Sequence, residues 1–168
     1  MTLTQTQDTV LELSNPLDAI EALFEANEWT FERDSNEEIT AIVPSGWCDY
    51  QLRFFWREQE GVLQAVNMFD LKVPSAKRAS ICETLALINE RLWMGHFESW
   101  TDGDALLYRH ATYIDEDSQL SPNHAHALVQ TAVGESDRFY PVFQFVLWAG
   151  KSPAEAVEAA MLDTVGSA

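Results

Sequence analysis

The sequence predicts an α+β domain in which helices pack on an antiparallel β-sheet. Its apolar residues first recur with the spacing of a helix, and then alternate with polar residues between about residues 29 and 73. Short turn signals separate the alternating segments, so consecutive strands should be antiparallel neighbours. Runs of strands followed by helices are typical of the α+β class. A chain of 168 residues is long enough for one such domain with a full hydrophobic core.

The first half of the chain contains one predicted helix and a meander of strands. Asn15-Pro16 resembles an N-cap followed by a first-turn proline, which predicts a helix over about residues 16–27. Pro44-Ser45-Gly46 and Glu60-Gly61 then bound segments in which apolar and polar residues alternate. The predicted strands are Ile39–Val43, Tyr50–Trp56 and Val62–Leu71.

A helix and a hairpin are predicted next. Pro74 begins a helix whose apolar stripe continues until Gly95, a residue that suits a helix C-terminus. Asp102-Gly103 is a strong hairpin signal because both residue types suit a tight turn. The hairpin strands are His96–Thr101 and Ala105–Ile114.

The C-terminal part is predicted to be helical. Ser121-Pro122 opens a helix in which Pro141, which lacks an N–H group, should cause a kink or divide the helix. Ser152-Pro153-Ala154-Glu155 is a capping box with proline at the first helical position. A last helix should therefore run to about Thr164.

The chain is expected to form one domain over residues 15–168, preceded by a flexible arm over residues 1–14. No basic segment followed by an apolar core is visible at the N-terminus, so we expect a cytoplasmic protein. Cys48 and Cys82 belong to no CxxC pair, which excludes a disulfide scaffold. Both thiols are expected to be buried among apolar residues.

The charge of the chain limits the classes of partner. It has 10 basic and 27 acidic residues, and its net charge is −17. Such a charge repels the phosphates of nucleic acids and the surface of anionic membranes. The acidic residues are spread along the chain, so they indicate a solvated surface rather than an acidic tail. We therefore expect neither nucleic-acid nor membrane binding, and a protein or peptide is the expected partner.

No catalytic, cofactor-binding or metal-binding motif is present in the sequence. None of the seven glycines forms a phosphate-binding pattern, and no GxSxG motif occurs. His124 and His126 are two residues apart in a predicted helix, so their side chains point in different directions and do not suit a shared metal ion. The sequence thus predicts no catalytic residue, no cofactor and no metal site.

An enzyme is nevertheless kept as an alternative. Pairing across the predicted hairpin brings His96 close to Arg109, and either His96 or His110 could form half of an acid–base pair. The simpler interpretation is that both histidines are satisfied by neighbouring carboxylates.

Aromatic residues predict a binding surface more directly than any motif. The chain has six tryptophans, several of them beside turns or helix ends, where the core of the domain cannot easily bury them. Exposed aromatic and arginine side chains are enriched in protein interfaces. The long strand should also place three such side chains on one face. The predicted binding residues are Trp47, Arg53, Phe55, Arg57, Trp93 and Trp100.

Three segments resemble the YbjN-domain family of bacterial proteins. They are Trp47–Phe54, Ala86–Phe97, which contains LINERLWMGHF, and the DRFYPVFQFVLW string that ends at Trp148. The resemblance extends over about residues 15–166. It implies a regulator of sensory transduction and a fold similar to that of type III secretion chaperones, with additional C-terminal helices. It implies no active site.

The preferred hypothesis is a non-catalytic protein-binding or chaperone-like regulatory protein. In this hypothesis the exposed face or an edge strand of the sheet holds a polypeptide partner. A homo-oligomeric module, such as a homodimer whose aromatic patches serve self-assembly, is the second hypothesis. An enzyme that uses His96, Arg109 or His110 beside the hairpin is the third.

Overall fold

The computed structural model of the chain describes residues 15–116 and 118–165. The predicted N-terminal arm over residues 1–14 lies outside these residues. The described part contains helices and strands in the order expected for the α+β class. Their bounds are α1 Pro16–Ala26, β1 Thr30–Arg33, β2 Glu38–Pro44, β3 Asp49–Arg57, β4 Val62–Lys72, α2 Arg78–Asn89, β5 His96–Ser99, β6 Ala105–Tyr113, α3 Pro122–Leu147 and α4 Pro153–Val165.

The strands form one antiparallel sheet in the order β1-β2-β3-β4-β6-β5. The meander of β2, β3 and β4 confirms the prediction from alternating residues and short turns. The chain then passes through α2 into the predicted hairpin of β5 and β6, and β6 pairs with β4. As a result, β1 and β5 are the two edge strands.

The helices pack on one face of the sheet, which we name the inner face. Phe24 of α1 contacts Phe54 of β3 with ring centroids 6.2 Å apart. Phe143 of α3 lies 6.0 Å from Phe69 of β4 and 5.5 Å from Phe97 of β5. In the described residues every aromatic contact between a helix and a strand is made on this face. The opposite side of the sheet is named the outer face.

Hydrogen bonds confirm two of the predicted helix starts, those of α1 and α4, whereas α2 begins at Arg78, four residues after the predicted start at Pro74. The side chain of Asn15 accepts a hydrogen bond from the Leu17 N–H at 2.9 Å, as an N-cap does. At the start of α4, the Ser152 N–H donates to the Glu155 carboxylate at 3.0 Å, and the Glu155 N–H donates to the Ser152 hydroxyl at 3.3 Å. This is the reciprocal arrangement of a capping box.

The predicted end of α2 at Gly95 is wrong, because the helix ends at Asn89. Residues 90–95 form the connection to β5. Gly95 has a φ of +67°, and a Cβ at this position would overlap the ring of Tyr108. The glycine is therefore needed for a close approach to the sheet and not for helix termination.

Helix α3 is continuous through Pro141, so of the two effects expected of the proline, a kink or a division, the division is wrong. In a helix the N–H of residue 141 would donate to the carbonyl of Asp137, and proline cannot make this bond. The indole Nε1–H of Trp47 donates to that carbonyl at 3.1 Å, and the Trp47 ring stacks on Tyr140 at a centroid distance of 6.0 Å. A side chain from the β2–β3 connection thus replaces the missing backbone donor.

The two cysteines differ in their surroundings. Cys48 is half-buried, whereas Cys82 is exposed on α2, so the expectation that both are buried is wrong. The buried stripe of α2 consists of Ile81, Thr84 and Ile88, and Cys82 lies outside it.

The bond between Trp47 and Asp137 predicts a coupling between Trp47 and Pro141. Trp47→Phe removes the N–H donor and should lower the free energy of unfolding by about 1 kcal/mol, because the Asp137 carbonyl loses its partner. Pro141→Ala restores a helical N–H at residue 141 that can donate to the Asp137 carbonyl. In that background Trp47→Phe should therefore lower the free energy of unfolding by clearly less. Urea denaturation of both single variants and the double variant measures this coupling. An equal cost in both backgrounds would show that Trp47 does not compensate for the proline.

Candidate protein-binding surface

Alternation along β3 places three of the predicted binding residues on the outer face. Leu52 and Phe54 of this strand are completely buried on the inner face. Arg53, Phe55 and Arg57 therefore point the other way. The prediction that these three side chains share one face is confirmed.

Two arginines cover the centre of the outer face. In the strand register Arg53 of β3 pairs with Val66 of β4, and Val66 pairs with Arg109 of β6. Val66 is only 1% exposed, although no aromatic side chain of the described helices contacts this face. The long aliphatic stems of the flanking arginines explain the burial, since such side chains cover apolar neighbours while their charged ends remain in water.

Arg53 is held in a defined position on this face. Its guanidinium group makes an ion pair with Glu38 of the neighbouring strand β2. It also lies over the ring of Phe55, 5.1 Å from the ring centroid. The result is a mixed aromatic and cationic surface whose charges are locally compensated, in contrast to the acidic character of the whole chain.

A second charged cluster lies at the β5 end of the outer face, around Glu98. Its carboxylate accepts hydrogen bonds from the Trp100 indole at 2.8 Å, from His96 Nε2 at 2.5 Å and from Arg109. Burial acts against ionisation, but the hydrogen bonds from Trp100, His96 and Arg109 outweigh it and hold the pKa of Glu98 below its usual value. A carboxylate stabilised in this way is a poor proton acceptor.

The enzyme hypothesis offered His96 or His110 as half of an acid–base pair, and these two histidines lie on opposite faces of the sheet. His96 pairs with Arg109 in the register, as the hairpin predicts, and both side chains contact Glu98 on the outer face. His110 follows Arg109 and points to the inner face; burial lowers its pKa, and the charges of His124 and His96 add to this effect.

Apolar side chains remain accessible on the outer face. Ile42 of β2 is 42% exposed, Trp100 after β5 is 38% exposed, and Tyr113 of β6 is 81% exposed. Ile42 and Tyr113 were missed by the sequence analysis. Alternation could have identified both, since Ile42 lies between the inward residues Ala41 and Val43.

Two predicted binding residues lie away from the outer face. Trp47 is half exposed but contacts Tyr140 and the Asp137 carbonyl on the helical side. Trp93 is fully exposed in the connection between α2 and β5. The outer face therefore combines four of the six predicted residues, namely Arg53, Phe55, Arg57 and Trp100.

The two edges of the sheet differ. At β5 the Asn89 amide faces the outward backbone groups of Phe97: its Nδ2 donates to the Phe97 carbonyl at 3.1 Å, and its Oδ1 accepts from the Phe97 N–H at 2.8 Å. The amide thus makes the two bonds that a neighbouring strand would make. Such cover prevents uncontrolled pairing with another strand.

A family model described as "YbjN: putative bacterial sensory transduction regulator" matches residues 16–145 of this sequence. The chain belongs to the YbjN family. A solved structure, described as "Crystal structure of YbjN, a putative transcription regulator from E. coli", has the same fold, with a TM-score of 0.53. The two proteins share 12% identity, and the similarity covers 75% of this chain and 90% of that one. No curated protein sequence matches the chain.

This YbjN-family chain has additional helical structure after the matched segment, since α4 begins at Pro153. Among the described residues no group of three or more histidine, cysteine, aspartate or glutamate side chains is arranged to hold a metal ion. In the same residues no helix is long and apolar enough to cross a bilayer.

The role of Asn89 predicts an effect on the β5 edge. Asn89→Ala removes both hydrogen bonds to Phe97 and should lower the free energy of unfolding by about 2 kcal/mol. The Phe97 amide should exchange with deuterium much faster, because it loses the acceptor that protects it. Asn123→Ala, at an exposed position in the first turn of α3, is the matched control. Unchanged exchange at Phe97 would contradict the assignment of Asn89 as the cover of this edge.

Proposed function

We propose that this YbjN-family protein is a non-catalytic regulator that binds another polypeptide on the outer face of its sheet. The observation that carries the proposal is the combination of accessible apolar side chains with positioned arginines on one uncovered sheet face. Ile42, Trp100 and Tyr113 supply the apolar area, and Arg53 and Arg109 supply the cations. Aromatic and arginine side chains around an apolar centre are typical of protein interfaces.

The charge of the chain favours a protein partner over a nucleic acid. A net charge of −17 opposes contact with phosphates, and two arginines of the outer face, Arg53 and Arg109, are already paired with Glu38 and Glu98. The E. coli YbjN is described as a putative transcription regulator. In such a role this chain is expected to act through a protein and not by holding DNA. We place this activity in the cytoplasm.

A second copy of the chain is the second candidate partner. The exposed Tyr113 and Ile42 would lose contact with water in a symmetric pair of outer faces. The local compensation of charge on this face would limit repulsion between two acidic chains. In that case the outer face would serve self-assembly, and a homodimer would form.

Selection of peptides on the immobilised full chain tests the proposal. Selected peptides should lose affinity by about tenfold or more with Arg57→Glu or Tyr113→Ala, because these changes remove contacts on the outer face. Trp93→Ala is the control, since Trp93 is at least as accessible but lies elsewhere.

Three results would count against this function. Loss of affinity only with Trp93→Ala would place the site outside the outer face. Failure to select any peptide above a charge-matched control protein would contradict polypeptide binding. A chain that is dimeric in solution and becomes monomeric with Tyr113→Ala would favour the homodimer.

A further inference from the structure

Among the described residues, the edge of β1 has unpaired backbone groups with which an additional strand could pair. The Asp34 N–H donates to the Glu38 carbonyl at 3.1 Å, so the backbone groups of Asp34 point towards β2. Because these groups alternate along a strand, the N–H and C=O groups of Phe31 and Arg33 point to the free edge. In the part of the chain that the structure describes, these groups have no hydrogen-bond partner comparable to Asn89 at the other edge.

Negative charge surrounds this edge. Arg33 is the only basic residue between positions 25 and 37, and its guanidinium group is already paired with Asp18 at 2.8 Å and with Glu21 at 2.5 Å. Five exposed carboxylates without such a partner lie along the same stretch of the described chain. They are Glu25, Glu28, Glu32, Asp34 and Glu37.

The charge decides between the candidate occupants of the edge. A second copy that paired through its own β1 would bring Glu32 of one chain close to Glu32 of the other and the neighbouring acidic segments near one another, which is unfavourable. Residues 1–14 of this chain contain Asp8 and Glu12 but no lysine or arginine. A segment with several basic side chains, by contrast, would gain favourable pairs with the carboxylates at the edge.

We propose that β1 binds an extended polypeptide segment rich in lysine or arginine, which adds to the sheet as a seventh, antiparallel strand. This inference rests on the proposed function, that the chain binds a polypeptide. The residues of the segment that pair opposite Phe31 and Arg33 make the backbone hydrogen bonds. The residues opposite Thr30 and Glu32 point to the outer face, because directly opposed residues share a face. Lysine or arginine is expected at these alternate positions, next to Glu32.

The test uses a peptide of alternating lysine and threonine, about eight residues long, as natural strands often are. Amide NMR of the full chain should show shifts at Phe31 and Arg33, and slower hydrogen exchange there, when the peptide is added. The peptide with N-methylated threonines should bind much more weakly, since it lacks the N–H groups that would donate to the backbone of β1. A peptide with glutamate in place of lysine should not bind.

Protein variants separate the charge of the edge from the charge of the whole chain. Glu32→Lys should weaken binding of the lysine peptide by about fivefold or more, because an attractive cross-strand pair becomes repulsive. Glu158→Lys makes the same change of charge at an exposed position on α4 and should have little effect.

Several results would overturn the inference. Equal binding of the N-methylated peptide, with shifts at outer-face residues only, would reject strand addition and leave the proposed function intact. Absence of binding by any of these peptides would reject the inference, and peptides selected on the full chain would still test the function separately. Slow exchange at Phe31 and Arg33 in the peptide-free protein would show another occupant. If the occupant were a second copy, the protection from exchange would increase with protein concentration. If it were a segment of the same chain, the protection would not change with concentration.

Discussion

The structure depends on one constraint, which is that helices cover only one face of a six-stranded sheet. Burial of large aromatic side chains between the inner face and the helices supplies the main stabilisation. The outer face has no such layer within the described residues, so its own side chains must protect the apolar centre. Paired arginines do this at Val66, and their carboxylate partners on neighbouring strands keep them in place.

Backbone groups elsewhere in the fold also need partners. At Pro141 the helix lacks one donor, and the Trp47 indole supplies it. At the β5 edge the Asn89 amide takes the place of a missing strand. Both cases show a side chain that completes a backbone hydrogen-bond pattern across a tertiary contact, and they follow from the cost of an unpaired polar group in a protected position. The edge of β1 is not completed in this way within the described residues, which makes it the open end of the sheet.

Local signals in the sequence were sufficient to predict those helices and strands whose ends are determined by neighbouring residues. The capping box Ser152–Glu155, the N-cap Asn15 and the turn at Asp102-Gly103 all depend on short-range hydrogen bonds or backbone preferences, and the predicted elements are present. The predicted end of α2 was wrong. At the actual end, the Asn89 side chain bonds to the backbone of Phe97, and this contact forms only when the helix packs beside β5. The continuity of α3 depends on Trp47, ninety positions away from its partner Asp137 in sequence. No local pattern reports such contacts.

The candidate surface was predictable to a similar extent. Strand alternation identified Arg53, Phe55 and Arg57 as neighbours on one face, and the same rule would have added Ile42 and Tyr113. It could not separate Trp47 and Trp93 from this surface, since both lie in connections whose direction is set by packing. Glu98 was also missed, although alternation places His96 and Trp100, two positions away on either side, on its face of the strand; only the third donor, Arg109, depends on the pairing of β5 with β6.

Binding of a polypeptide partner to the outer face should be detectable in the cell. Cross-linking from a photoreactive amino acid placed at Gln51, an exposed outer-face position on β3, tests it most directly. Glu158 on α4 is the matched exposed position on the helical side. We expect a discrete cross-linked product with another polypeptide from Gln51 and none from Glu158. Products from Glu158 alone, or from Gln51 only with a second copy of the same chain, would contradict this expectation.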